Sequence, residues 1–585
     1  MKKRLFPEDA MFVNCLFTFK NKELGLSDSV ILVWKDKEGK KGYTYIEDPE
    51  YTYYVTKDIP KQFSINKSGF EYRYISMDDV IPVKTKFSKR YSSMSKHTSR
   101  ATVKNFYNEC IDSGNYKMLQ QMHLFNEFHG SDVNITDYYI DLFCQENDQE
   151  KCEHTLSIGS FDIEVDGADY PGFPNEREAP CPVNLITYYN TDTNVLTVFM
   201  LKYNTKTFKE LTEKEIKNKV KEVKEKFKPY FGNFKIKAKI LSSELGVIAS
   251  FFNLVNIDRP DYNLAWNARF DIVTLYERLK KILPGTDYTP EDIMCPEEFP
   301  VKRVIINLDD SEGSKKDFTA RTDVFNIYGY TVWLDMLPLY GNITRPMGKK
   351  ESYTLNAIGM EETNLGKEDL SSEDTDIKTA HLDNYPLFFK YGCTDTMLLA
   401  LIIKNTGYVD LLHTIVTLTH TRANKALTKT VCLRNYVSIF YRELGYVISN
   451  NRCSLHHFDK NSISGAYVAP TELIDMIGSI NNIPSNKCFN LVIDEDLSAM
   501  YPSIIRVFNI SSSTAEFRII MRKHTGEYEI VKDISGKPIK QEIVIDMTKE
   551  FMEKYLSEDD VRFCKEFHNL PDYDEMYNIF AKKAS

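Results

Sequence analysis

The sequence predicts a multidomain α+β protein in which a mainly β amino-terminal domain precedes an α/β domain. Three observations carry that expectation. A chain of 585 residues is too long for one hydrophobic core and should divide into several. Up to about residue 155, short aromatic and β-branched runs are separated by turn signals. From Thr155 onward, strand-like runs alternate with helical ones, the pattern of an α/β unit.

Composition narrows the class. Hydrophobic residues make up 42% and aromatics 13% of the chain, the balance of a packed globular protein. No apolar run approaches the ~18 residues that span a bilayer, so no membrane partner is expected. The start, MKKRLFPEDAMF, has no apolar core before its acids and does not read as a secretory signal. Eleven cysteines lie singly, without a C-x2-C pair, which argues against zinc, an iron–sulfur cluster or a disulfide framework and for a reducing, cytoplasmic setting. The formal charge of −10 gives no general attraction to nucleic acid. DNA binding would have to use local basic surfaces or cations bridging acids to phosphate.

In chain order, MFVNCLFTFK, SVILVWKD, KGYTYIED and YTYYVT are expected strands of a small antiparallel domain over residues 1–155. Val80 to Asn108 contains no acid but carries Lys84, Lys86, Lys89, Arg90, Lys96, Arg100 and Lys104, interleaved with Phe87, Tyr91 and Phe106. Such a segment suits a phosphate backbone with stacked bases, with Lys84, Lys89 and Arg90 as DNA contacts. A solvated surface loop explains it equally well.

The α/β region opens on FDIEV, Phe161 to Val165. In a strand, alternate side chains share a face, so Asp162 and Glu164 point one way while Phe161, Ile163 and Val165 anchor the other side. Alone the pair means little: 84 acids in 585 residues supply about a dozen such pairs by chance. VNLITYYN and VLTVFML follow as strands. TEKEIKNKVKEVKEKF, from Thr212 to Phe227, is expected to be a helix whose interspersed Lys and Glu make a solvated face. In YNLAWNARFDIVTLYERLKK the apolar residues after Asp271 recur at helical spacing, placing Asp271 at the mouth of a helix. In KYGCTDTMLLALI, Tyr391 and Asp395 are four residues apart and share a helix face. Acids from three separate elements can hold two hard cations about 3.5–4 Å apart, and that conjunction favours a two-metal site.

FDIEV, WNARFD and YGCTD resemble the three exonuclease motifs of family B DNA polymerases, whose 3′–5′ proofreading domain has a ribonuclease-H-like α/β fold. GFPNEREAPCPVNLITYYN and SYTLNAIG resemble the T4-like phage replicative polymerases, and DLSAMYPSIIRVFNIS resembles polymerase motif A. By position the resemblance implies Asp162, Glu164, Asp271 and Asp395 as ligands of two Mg²⁺ or Mn²⁺ ions, Tyr391 as the residue orienting the attacking water, and Asn267 near the substrate strand. It also implies Asp496 as a polymerase metal ligand. The backbone of Leu497, Ser498, Ala499 and Met500 would hold the nucleotide, and Tyr501 would be the gate against ribose. ISGAYV resembles the element that tracks single-stranded template, with Gly465 and Ala466 as its small residues and Ile463 where the family has tyrosine.

The implied organisation is residues 1–155 as amino-terminal domain, 156–403 as 3′–5′ exonuclease, 404–462 as a helical linker or second segment of the amino-terminal domain, 463–553 as a partial palm with motif A and 554–585 as the start of fingers or a carboxy-terminal tail. No second catalytic aspartate in a DTDS hairpin and no lysine-bearing fingers helix follows Ser511; the DTD at Asp374 to Asp376 lies in a polar loop. The expectation is therefore the exonuclease-bearing subunit of a split replicative polymerase. It would act on primer-template and single-stranded DNA in the bacterial host cytoplasm. A carboxy-terminal polymerase polypeptide would be its partner and would link it to a sliding clamp. The alternative is a free-standing 3′–5′ DNA exonuclease with a vestigial palm.

Overall fold

The computed structural model describes residues 4–20, 26–57, 74–125, 127–149, 155–203, 213–368, 376–448 and 450. Gly465, Ala466, Asp496, Leu497, Ser498, Ala499, Met500 and Tyr501 lie outside the described residues, as do the expected palm and tail.

In the amino-terminal region β1 (Met11–Thr18), β2 (Ser29–Lys35) and β3 (Lys41–Glu47) form an antiparallel sheet in that order. A second antiparallel sheet has β4 (Glu50–Thr56) between β5 (Val80–Lys86) and β6 (Phe128–His129). The four expected strands are present, and β4 shows the period of two: Tyr51, Tyr53 and Val55 are buried and the residues between them are not. The region also holds helices. The basic segment is helical over Arg90–Lys96 and Ala101–Asp112.

The α/β region is built on one mixed sheet of eight strands. They are β7 (Ile158–Val165), β8 (Val183–Asn190), β9 (Val195–Leu201), β10 (Lys235–Leu241), β11 (Tyr262–Ala265), β12 (Val304–Asn307), β13 (Val324–Ile327) and β14 (Val332–Asp335). Their spatial order is β10-β9-β8-β7-β11-β14-β13-β12. β7 pairs antiparallel with β8 and parallel with β11, and β11 pairs parallel with β14. One face is covered by helix Glu244–Asp258, whose Phe251 meets Phe161 of β7 at 5.2 Å between ring centroids. The other face is covered by helix Tyr385–Thr406, the longest described helix, which is buried along most of its length. By length and composition it could cross a membrane, yet 83% of its apolar window is buried inside the protein.

The two regions are tied by a buried ion cluster. Asp261, just before β11, takes Lys41 Nζ at 2.8 Å and Lys35 Nζ at 3.3 Å. Burial alone would raise the Asp261 carboxyl, but the two lysines outweigh it and hold it below its ordinary value. Burial pushes Lys41 down to about 8.

Candidate active site

Asp162 and Glu164 occupy the carboxyl-terminal half of β7. The parallel partner β11 is in register with β7 only as far as Ser160, opposite Leu264, so beyond that point the acidic edge of β7 is not closed by β11. Phe161 and Ile163 are buried on the opposite face, 0% and 4% exposed, which fixes the direction of the two carboxylates. Above them runs the helix Tyr385–Thr406. Gly392 lets it approach: a Cβ there would overlap the Leu185 side chain of β8. Thr187 of β8 donates to the Gly392 carbonyl at 3.2 Å. That close seat lowers Tyr391 and Asp395 onto the strand.

The result is a three-acid group. Asp162, Glu164 and Asp395 each offer a carboxylate oxygen, all within 4.8 Å of one another. Asp395 is 1% exposed, and its Oδ1 is buried without a hydrogen-bond partner. An orphaned oxygen among hard oxygen donors fits a divalent cation of the Mg²⁺ or Mn²⁺ type. Burial, and then mutual repulsion, holds the carboxyls of Asp162 and Glu164 above their ordinary values.

Asp271 lies in the first turn of helix Ala268–Ile282. It sits beside the three-acid group: its Oδ1 accepts from the Ile163 backbone N–H of β7 at 3.3 Å. Burial first, then the charges of Asp162 and Asp335, raises its carboxyl. Asn267 precedes that helix with φ 71°, a left-handed conformation that Asn tolerates better than most residues. Its side chain makes no cap. Its backbone N–H donates instead to Asp335 Oδ1 at 3.0 Å, so Asp335 anchors the turn.

Tyr391 is raised by burial, then by the charges of Asp395 and Glu164. That shift keeps it a phenol at neutral pH. Its oxygen accepts from Lys367 Nζ at 3.1 Å, and the same ammonium reaches Asp395 Oδ2 at 2.5 Å. Lys367 had no place in the sequence reading. Nothing in NLGKED distinguishes it, because its partners are 24 and 28 residues away and only the fold brings them near. Phe173 was also missed: it is 78% exposed and packs on Phe270, beside Asp271, at 5.1 Å. Arg269 steadies that loop through Glu176 at 3.3 Å and Asp310 at 2.5 Å.

The basic segment is organised differently. Lys84 pairs with Glu50 and Lys86 with Asp48, both at 2.7 Å. Arg90 lies over the rings of Phe87 and Tyr91 at 4.1 and 4.4 Å. Phe87, Tyr91 and Phe106 are half-buried and pack against the core. Lys89 is exposed. A cavity of about 700 Å³ elsewhere, between Lys40–Lys41 and helix Glu244–Asp258, has mixed charge and does not reach the carboxylates.

The family described as DNA polymerase family B, exonuclease domain, matches residues 98–358. That span contains Asp162, Glu164 and Asp271 but not Asp395, which the fold adds. The chain is 25% identical over 375 residues to a DNA-directed DNA polymerase of Escherichia phage RB69, covering 63% of this chain and 37% of that relative. The chain thus spans well under half the length of the curated relative it matches. On both findings the chain is similar to DNA polymerase family B, in its exonuclease domain.

Proposed function

We propose that this chain is a 3′–5′ DNA exonuclease of the proofreading type, working on single-stranded 3′ ends with Mg²⁺ or Mn²⁺, on a sheet of ribonuclease-H-like design. The observation that carries this reading is the convergence of Asp162, Glu164 and Asp395 on one point with a buried oxygen left unpartnered. Two cations bound there would lower the pKa of an attacking water and take up the charge of the departing 3′ oxygen. Asp162, Glu164 and Asp395 hold that charge in place, with Asp271 alongside. Tyr391, its oxygen engaged by Lys367, orients the water with its own proton. Lys367 offsets part of the carboxylate charge at Asp395. The exposed ring of Phe173 offers a stacking surface for a base next to Asn267 and Asp271.

Labelled single-stranded DNA tests this. The purified chain should shorten a 5′-labelled strand stepwise from its 3′ end in Mg²⁺, and a 3′-blocked strand should resist; cleavage from the 5′ end or internally would refute the reading. DNA synthesis with a partner polypeptide, and through it a sliding clamp, rests on the resemblance of motif A alone. Co-purification with a polypeptide that restores templated synthesis, lost again in Asp496→Ala, tests that part.

A further inference from the structure

The lysine-rich helix Glu213–Phe231 read as a solvated face. One of its lysines is not solvated in that sense. Lys226 Nζ bonds Glu368 Oε1 at 2.9 Å and the Gly366 carbonyl at 3.0 Å. Lys390 Nζ holds the other Glu368 oxygen at 2.8 Å and is itself braced by Glu222 at 3.0 Å. Thr394 donates to Glu368 Oε1 at 3.2 Å. The Glu368 side chain is 14% exposed, so these bonds are largely shielded from solvent.

The register of these contacts is what matters. Lys390 and Thr394 are four apart on helix Tyr385–Thr406, and so are Tyr391 and Asp395 one residue later. Two side chains adjacent in the chain, Glu368 and Lys367, therefore grip two adjacent rows of one helix. Glu368 takes the row behind the site, and Lys367 takes the row within it. The backbone between them is fixed from the far side as well, by the Lys367 N–H on Asn356 Oδ1 at 2.8 Å. We infer that Glu368 is a positioning residue of the exonuclease site: clamped by Lys226 and Lys390, it seats Lys367 against Tyr391 and Asp395. Glu368 touches no reacting atom. Its effect passes through Lys367, whose long side chain would otherwise sample many rotamers.

This inference rests on the exonuclease reading, and the experiment separates the two. Wild type, Glu368→Ala, Lys367→Ala and the double variant are compared on 5′-labelled single-stranded DNA, with melting temperature as a check on folding. Glu368→Ala should lower kcat about tenfold to a hundredfold with little change in KM. In the Lys367→Ala background the same change should cost nothing further, because the residue it positions is gone. A readout without turnover is amine acylation mapped by mass spectrometry, in which Lys367 should become severalfold more reactive in Glu368→Ala. Lys226→Met, which opens the clamp from the other helix, should give a smaller shift of the same kind and serves if Glu368→Ala does not fold. An inactive wild type would sink the exonuclease reading. An active wild type with undiminished Glu368→Ala, or with losses that simply add in the double variant, would overturn the positioning role.

Discussion

The carboxylate cluster and the basic segment 80–108 are both dense in one sign of charge, and they differ in what the fold does with it. Around β7, three carboxylates converge with a fourth alongside, Lys367 reaches only one of them, and one buried oxygen is left without a partner. In the basic segment part of the charge is answered at home: Lys84 by Glu50, Lys86 by Asp48 and Arg100 by Glu127 at 3.3 Å, while Arg90 lies over two aromatic rings and Lys89 is exposed. Charge gathered on rigid elements and left unbalanced costs folding energy and marks a place where a ligand is expected. Charge balanced by neighbours marks scaffold.

The sharpest way to break that contrast is to remove an acid from the unbalanced cluster. Asp162→Ala should slow 3′ shortening by about a thousandfold or more while leaving the melting temperature near that of wild type. A variant that degrades DNA normally would take Asp162 out of the chemistry. Tyr391→Phe keeps the ring and loses only the hydroxyl, so single-turnover rates should fall by roughly one to two powers of ten with metal binding retained.

A buried titratable group sharpens the scaffold side. His413, bonded to the Tyr262 hydroxyl at 2.9 Å, is pushed down to about 4 by burial. The unfolded chain takes up that proton near pH 6.5 and the folded one does not until about pH 4, so stability is lost as pH falls between those values, by about 3 kcal/mol from this group at the lower end. His413→Gln should flatten the acid limb of a denaturation-against-pH curve. The smallest effect is expected from the basic segment. Replacing Lys84, Lys89 and Arg90 together with Ala should change the salt dependence of single-stranded DNA binding by less than one phosphate contact, about 0.7 log unit. A larger flattening would show that the segment touches DNA after all.

How much was legible in the sequence follows the same division. The alternation in FDIEV fixes which way Asp162 and Glu164 point, and the four-residue spacing of Tyr391 and Asp395 fixes their shared face, so local geometry already states the chemistry. The expected strands of the first region and the helix of Asp271 are where periodicity puts them. The lysine-rich helix runs Glu213–Phe231, past its expected end at Phe227 and through Pro229. Lys367 and Glu368 were invisible because their partners come from other elements, and a lone lysine in a polar loop carries no local signature. The same is true of Asp335, which replaces the Asn267 side chain as the anchor of its turn. In the basic segment composition announced the charge but could not show that Glu50, Asp48 and Glu127 meet Lys84, Lys86 and Arg100.

The central claim is that Asp162, Glu164 and Asp395 act as one cation site although they come from a strand and a helix more than 200 residues apart. Calorimetric titration of Mn²⁺ into wild type and Asp395→Asn, at pH 7.5 without DNA, tests it most directly. The account predicts binding by wild type accompanied by proton release, since the carboxyls are held above their ordinary values, and at least tenfold weaker binding by the variant. Equal affinity in the two proteins would contradict it.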